Sequence, residues 1–529
     1  MKAEAPEIAR EEIEAIIERS AHAPLGTEER EKLKATLDLL ALLTHEIGAK
    51  GTTIERLRRM LFGASTEKTD KIFPEPPAHK PGEDAGTAGK ERPRAPGHGR
   101  NAARAFTGAV RLCVPHVTLH HGDRCPECGK GKLYVQAHPA LLIRIRGMAP
   151  LSAARYECER LRCNLCGEVF AARPPEEVGD QKYDESATAM IALLKYGCGL
   201  PFNRIEKLQR HLGIPLPAAT QWELVAAAAA VLRVVFNALI RQAAQGELLH
   251  NDDTTARILE IELEKDERSG VYTSGIVSMS EGHQIALFFT GTRHAGENLA
   301  AVLKQRAAEL PAPIQMCDAL SHNTAVELDT IVANCIAHAR RQFVEVAPRF
   351  PEPCRYVLEV LREVYCNDAH TRAAKMSPQD RLAYHQQHSG PHMRGLLWWL
   401  YEQIELRKIE PNSSLGTAVK YMRKHWEKLT RFLQVAGAPL DNNVCERILK
   451  KAILHRKNAL FFKTQNGANV GDLFMSLIHT AELARVDPFD YLTQLQRHAN
   501  RLPANPGAWM PWNYRAAISA LATGTDPPP

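Results

Sequence analysis

Three carboxylates stand where a fold can bring them together. Asp252 lies in Leu249-His250-Asn251-Asp252-Asp253-Thr254, at the end of a β-like run from Glu247 to Asn251, and Asp318 directly follows a second apolar run, Ala312 to Cys317. Two strands ending in Asp would deliver both side chains to one edge of a sheet, where α/β proteins meet their ligands. Glu446 follows Leu440-Asp441-Asn442-Asn443, whose Asx residues can cap a helix. From Arg447 to Lys463 there are six Lys or Arg residues and no acid, so a positive stripe adjoins that one carboxylate and suits a DNA backbone. Hard oxygen ligands of this kind can hold two Mg²⁺ (or Mn²⁺) ions roughly 4 Å apart for phosphoryl transfer without a covalent intermediate. Asp253 and Asp441 are the competing carboxylates, the first turned away across the strand and the second a cap.

A second constellation is Cys125-Pro-Glu-Cys128 with Cys163-Asn-Leu-Cys166, each pair followed by Gly. Two such knuckles can present four thiolates to one structural Zn²⁺, and the closed shell leaves no position for a reacting water. The 34 intervening residues require an inserted hairpin, Cys158 is a possible substitute ligand, and paired free thiols are the alternative. A zinc hydrolase using His250, His322 or His338 with the aspartates competes with the Mg²⁺ reading, but lacks a His-x-x-x-His spacing.

At 529 residues the chain exceeds one core, and 44% hydrophobic with 24% charged residues is ordinary globular composition. The charged N-terminus and the absence of a long uninterrupted apolar run predict a cytoplasmic protein without a membrane span, on the nucleoid when bound to DNA. Leu224 to Ile240 is broken by Arg233 and reads as a buried helix. A net charge of +6 does not by itself identify a nucleic-acid binder, so the distribution of charge must.

The expected organisation is α/β plus α. Residues 1–70 form a helical segment in which Leu33, Leu40, Ile47, Ile54 and Leu61 recur every seven, as in a coiled-coil zipper or a helical hairpin. Residues 71–105 are a basic linker, 106–180 the zinc-binding module and 181–245 a helical DNA-binding region. There Asn203, Arg204, Lys207 and Arg210 line one helix of a helix-turn-helix, and Thr220 and Gln221 start its groove-entering helix. A helical layer bracing the core is the alternative. Residues 246–500 are the catalytic domain, with strands at Glu247–Asn251, Ala256–Glu262, Gly270–Met279 and His283–Thr290. A further strand at Val332–Ile336 leads to His338 beside the carboxylates and to Arg340 and Arg341 as phosphate contacts. A helical insertion covers about 352–436, with Trp398, Trp399, Tyr421 and Trp426 as packing anchors, and 501–529 is a tail.

These motifs, taken in order, resemble the insertion-sequence-66 family of bacterial transposases from about Leu33 to Tyr514. The matching pieces are Leu61-Phe62-Gly63 with Glu67-Lys68, Gly97-His98-Gly99-Arg100, both Cys pairs, Leu249 to Thr254, Cys335 to Phe343, Leu440 to Arg447, Arg456-Lys457-Asn458 with Leu460-Phe461, and Pro511-Trp512-Asn513-Tyr514. The resemblance implies a DDE-type core of ribonuclease-H-like fold with Asp252, Asp318 and Glu446 as the acidic triad and Mg²⁺ ligands. It also implies that Arg456, Lys457 and Asn458 lie close to DNA or the active site, and the basic residues Arg100, Arg204, Lys207, Arg340, Arg341, Arg447 and Lys450 are further candidate DNA contacts. The family commonly has Asp-Glu-Thr-Pro and Asp-Gly where this chain has Asp252-Asp253-Thr254-Thr255 and Asp318-Ala319. Expected partners are element-end and target DNA, a second copy of the chain on paired ends, and accessory proteins of the same element. A transposase-derived DNA-binding protein without catalysis is the alternative.

Overall fold

The computed structural model describes Gly26 and residues 113–114, 117–128, 130–135, 149–162, 169–179, 181–261, 270–325 and 328–523. The zipper-like segment apart from Gly26, the basic linker with Arg100, and Cys163 and Cys166 lie outside these residues. Two compact units share the chain: one contains a five-stranded sheet, and the other includes residues 339–367 and 392–419.

A short antiparallel pair, β1 (Arg160–Arg162) and β2 (Val169–Ala171), precedes the sheet. The sheet is built from β3 (Leu248–Ala256), β4 (Val271–Ser280), β5 (His283–Gly291), β6 (Ile314–Cys317) and β7 (Ile331–Asn334). Its spatial order is β5-β4-β3-β6-β7, with β3 to β5 antiparallel and β6 and β7 parallel to β3. β4 and β5 carry β-branched and aromatic residues and meet at Glu281-Gly282, both at positive φ (51° and 79°), the two-residue turn that matches strand twist.

The separate strand expected at Ala256–Glu262 does not form. β3 instead runs on through Asp252 to Ala256 because β4 offers partners as far as Val271, and Ile258 then bridges to Phe462. Asp252 therefore lies within a strand and not at its end.

Helices α1 (Glu185–Ala192), α2 (Phe202–His211) and α3 (Ala218–Ala244) precede the sheet, and α4 (Ala295–Leu303) crosses from β5 to β6. After β7 come α5 (Ile336–Val346), α6 (Pro351–Ala373), α7 (Pro378–His388), α8 (Gly390–Glu405), α9 (Ser414–Lys424) and α10 (Trp426–Leu429). The chain returns through α11 (Asn443–Ala459) and α12 (Gln465–Leu483) and closes with α13 (Pro488–Arg497) and α14 (Tyr514–Thr523).

Among the described residues α3 is the one helix long and apolar enough to cross a membrane, yet Val225, Leu232, Val235 and Leu239 are fully buried in the main core with β4 and β5. It is a bracing helix. Gln221, expected at the start of a groove-entering helix, is fully buried and donates to the carbonyls of Phe202 and Leu216 at 3.2 and 3.0 Å. In the helical unit Trp399 packs on Tyr356 with ring centroids 5.1 Å apart, whereas Trp398, also expected as an anchor, is 70% exposed.

The outer edge of β5 is covered by polar side chains of α12. Asp472, Ser476 and Thr480 follow at four-residue spacing and accept from the N–H groups of Thr290, Phe288 and Ala286 at 2.7, 2.9 and 3.1 Å. Alternate strand residues turn their N–H groups outward, so one helix face satisfies an edge that would otherwise be open to pairing. Burial pushes the Asp472 carboxyl up to about 7, against Thr290, whose N–H and hydroxyl both donate to it.

A carboxyl raised above its ordinary 3.8 contributes stability that is fully present below that pH and is lost as pH rises through about 7. Asp472→Asn is expected to flatten this loss and to exceed the parent in urea unfolding at pH 8. Parallel declines in both proteins from acid to alkaline pH would contradict the assignment.

Candidate active site

The parallel pairing of β3 with β6 stops at His250↔Met316, while its antiparallel pairing with β4 continues to Ala256. From Asn251 onward the β6-side edge of β3 has no strand partner, and its polar groups must find others. Side-chain amides supply them. The Asn442 amide donates to the Asn251 carbonyl at 3.0 Å, and its oxygen lies 3.0 Å from His250 Nδ1. Gln315 donates to Asn251 Oδ1 and to the Asn323 carbonyl at 2.9 and 2.7 Å, and the Asn251 amide donates to that same carbonyl at 2.7 Å.

This network fixes two carboxylates. Asn323 Nδ2 donates to Asp318 Oδ1 at 2.6 Å and reaches Asp252 Oδ1 at 3.3 Å. Asn334 donates to the Asp318 carbonyl at 3.0 Å, anchoring the residue that leaves β6. Burial, then the negative charge of Asp318 with smaller effects of Asp253 and Glu446, pushes the Asp252 carboxyl up to about 7.

Glu446 arrives on α11, which lies close to the sheet because Gly275, the β4 partner of Asp252, has no side chain. A Cβ at Gly275 would stand 3.0 Å from Leu449, and Cys445 Sγ donates to the Gly275 carbonyl at 3.3 Å. Glu446 Oε1 is buried without a hydrogen-bond partner, and His338 Nε2 lies 3.8 Å from it. Three carboxyl groups, one of them raised by burial and by its acidic neighbours and another with an orphaned oxygen, fit the oxygen ligand set of a divalent cation.

The Asx cap expected before Glu446 takes another form. Asn442 occupies the cap position but makes no capping bond; its side chain links α11 to β3 instead, and Asp441 Oδ1 accepts from Asn443 N at 3.2 Å. Asp253 turns away from Asp252 and accepts from His294 Nδ1 at 2.9 Å. The histidines of the zinc-hydrolase alternative have different neighbours: His250 faces Asn442, His322 stacks near His294, and His338 approaches Glu446. Burial pushes His250 down to about 4, so it stays neutral.

Of the residues expected on DNA, Arg447, Lys450 and Lys457 are exposed along α11, and Arg204 and Lys207 are exposed on α2 beside Asn203 and Arg210. Arg210 pairs with Glu206 at 2.5 Å, and Arg340, Arg341 and Asn458 are half-buried. Arg456 is engaged within the protein, with Nη1 donating to the hydroxyls of Thr254 and Thr255 at 3.2 and 2.6 Å and to the Thr255 carbonyl. Cys125 and Cys128 sit in a tight turn in which Cys125 N donates to the Gly131 carbonyl at 2.8 Å and Gly131 N donates to Cys128 Sγ at 3.5 Å. Backbone donors at Gly131 and Lys130 hold the Cys128 thiol below its usual range.

Residues 181–470, more than half the chain and including Asp252, Asp318 and Glu446, match the Transposase IS66 family. The chain belongs to that family. It is also similar to the uncharacterized protein y4hP of Sinorhizobium fredii, with 25% identity over 504 residues, 88% of this chain and 89% of that protein. The uncharacterized protein y4jD of the same organism is 32% identical over 194 residues, but the match spans only 36% of that protein and 35% of this chain. The uncharacterized y4qI is 25% identical over 361 residues, 66% of each chain.

For this transposase-family chain, motif reading pointed to the carboxylates and overlooked the amides that hold them. Gln315, inside the apolar run Ile314-Gln315-Met316-Cys317, was the available signal, because a polar side chain in a buried strand needs a buried partner.

Asn442→Ala would strand the Asn251 carbonyl and His250 Nδ1 in the interior, at a cost of about 2 to 4 kcal/mol. Denaturant unfolding checks this, and a loss below about 0.5 kcal/mol would show that Asn442 does not tie α11 to β3.

Proposed function

We propose that this IS66-family member cuts element-end DNA and joins it to target DNA, using Asp252, Asp318 and Glu446 as its catalytic carboxylates. The observation that carries the reading is the hydrogen-bonded unit of Asp252, Asn323 and Asp318 with the unpartnered Glu446 Oε1 on the adjacent helix. Three antiparallel strands followed by two parallel ones, with the first strand central, support a ribonuclease-H-like core.

The three carboxylates would hold Mg²⁺ or Mn²⁺. Divalent ions, when bound, would supply positive charge that favours the ionised form of Asp252 and offsets charge building on a phosphoryl group in transfer. Asn323 keeps Asp252 and Asp318 in fixed relation without neutralising either. Asn442 sets α11, and so Glu446, against β3. His338 stands beside Glu446, its Nε2 3.8 Å from Glu446 Oε1.

The reaction is two in-line displacements at phosphorus, water opening an element end and the released 3′-hydroxyl then attacking target DNA. Arg447, Lys450 and Lys457 form an exposed cationic row suited to successive phosphates, and Arg204 and Lys207 offer a second exposed basic face on α2. Cys125 and Cys128, with Cys163 and Cys166 from the segment joining β1 to β2, would complete a structural zinc site. A second copy of the chain and accessory proteins of the element are the expected protein partners on paired ends.

The test is cleavage and strand transfer on labelled element-end DNA with Mg²⁺ or Mn²⁺, comparing the parent with Asp252→Asn, Asp318→Asn and Glu446→Gln after matched DNA-binding measurements. Loss of both steps by at least about a hundredfold in each variant, with binding kept, is expected. Activity surviving a substitution removes that residue from the set, and unchanged function in all three favours a DNA-binding protein without catalysis.

A further inference from the structure

One strand residue beyond Asp252, a second group of metal-ligating side chains converges from three elements. Asp253 comes from β3, His294 from the cap position before α4, and His322 from the single turn Ser321–Asn323 that follows β6. One ligand atom from each lies within 4.8 Å of the other two, and all three residues are half-buried. Asp253 Oδ2 is 2.9 Å from His294 Nδ1, and the imidazole rings of His294 and His322 are 4.4 Å apart at 34°.

We propose that Asp253, His294 and His322 form a binding site for a divalent transition metal of the zinc, cobalt or nickel class, distinct from the carboxylate site at Asp252, Asp318 and Glu446. Two ligands about 2.1 Å from one ion stand roughly 3.0 to 3.4 Å apart, depending on geometry. The Asp253–His294 pair, at 2.9 Å, stands just under that spacing, and the third ligand atom, on His322, lies within 4.8 Å of both. Two imidazoles and one carboxylate leave further positions open and select nitrogen-loving ions over Mg²⁺, which favours all-oxygen surroundings.

The scaffold holds the ligands in place. A Cβ at Gly296 would come within 2.5 Å of the Thr324 carbonyl oxygen and 2.7 Å of that of His322, so the first turn of α4 lies directly on the backbone of the His322 turn. Glu297 accepts from His294 N at 2.9 Å, and the Tyr272 ring packs 4.1 Å from the His294 ring. A hydrogen-bonded Asp–His pair alone would not call for the second imidazole beside it.

Strand alternation places Asp253 on the opposite side of β3 from Asp252, so the two sites share a strand but not a ligand. His322 is followed by Asn323, which bonds both Asp252 and Asp318. An ion on His322 would brace that turn.

The experiment is Co²⁺ titration of the full chain, stripped of metal under reducing conditions and kept in excess Mg²⁺, followed by visible absorption. Thiolate-bound Co²⁺ is told apart by its intense sulfur charge-transfer band. The parent is expected to bind one full equivalent of Co²⁺ with weak, sulfur-free absorption. His322→Ala and the milder His322→Asn should each lose that equivalent, and Asp252→Asn should keep it. Equal non-thiolate binding in the parent and both His322 variants, or no such binding in the parent, would overturn the proposal. Because the readout is binding, the result stands apart from whether Asp252 is catalytic.

Discussion

A strand that loses its neighbour inside a protein leaves carbonyl and N–H groups that must be satisfied by something other than a ladder. β3 loses β6 after His250, and the chain meets this need with neutral amides: Asn251, Gln315, Asn323 and Asn442. Amides donate and accept at once, so they can bridge backbone and carboxylates together. Their neutrality has a further consequence. A Lys or Arg in place of Asn323 would also bind Asp252 and Asp318, but would cancel the negative charge that Asn323 leaves in place. The arrangement leaves Asp252 with a raised carboxyl and Glu446 with an unpartnered oxygen.

The outer parts of the sheet keep that gap from spreading. On one edge α12 seals β5 with Asp472, Ser476 and Thr480. At the far end of β3, the link between α11 and α12 acts as a clamp: Phe462 N donates to the Arg257 carbonyl at 2.9 Å and Leu259 N to the Phe462 carbonyl at 3.0 Å. Arg456 closes the same clamp through Thr254 and Thr255. The helix carrying Glu446 is therefore tied to β3 at both ends, by Asn442 at its start and Arg456 near its finish. That restraint sets the distance between Glu446 and Asp252 more firmly than packing at Gly275 alone would.

How much of this was legible depended on whether the signal was local. β4 and β5 could be read from their β-branched and aromatic runs and the Glu281-Gly282 turn, and β6 from four buried residues ending at Asp318. The continuation of β3 could not, since Asp252-Asp253-Thr254-Thr255 looks like a polar turn until β4 supplies its partners. The role of Asn442 was hidden for a related reason: it has an ordinary local use as a cap, and only its contact with β3 about 190 residues away assigns it otherwise. Trp398 failed as an anchor because a large apolar side chain is buried only where another surface meets it.

The same alternation that hides β3 in the sequence lets it serve two sides. Asp252 and Asp253 are consecutive, as are His322 and Asn323, and each pair sends one member to either side of the strand. On one side stand Asp252, Asp318 and Glu446, with His338 3.8 Å from Glu446; on the other, Asp253 meets the imidazoles of His294 and His322. The two sides are not mechanically independent. The turn that carries His322 also carries Asn323, and Gly296 permits no slack between that turn and α4. Any shift of the turn that drew His322 toward His294 would alter the bond from Asn323 to Asp252, whose 3.3 Å length is the weaker of its two carboxylate contacts.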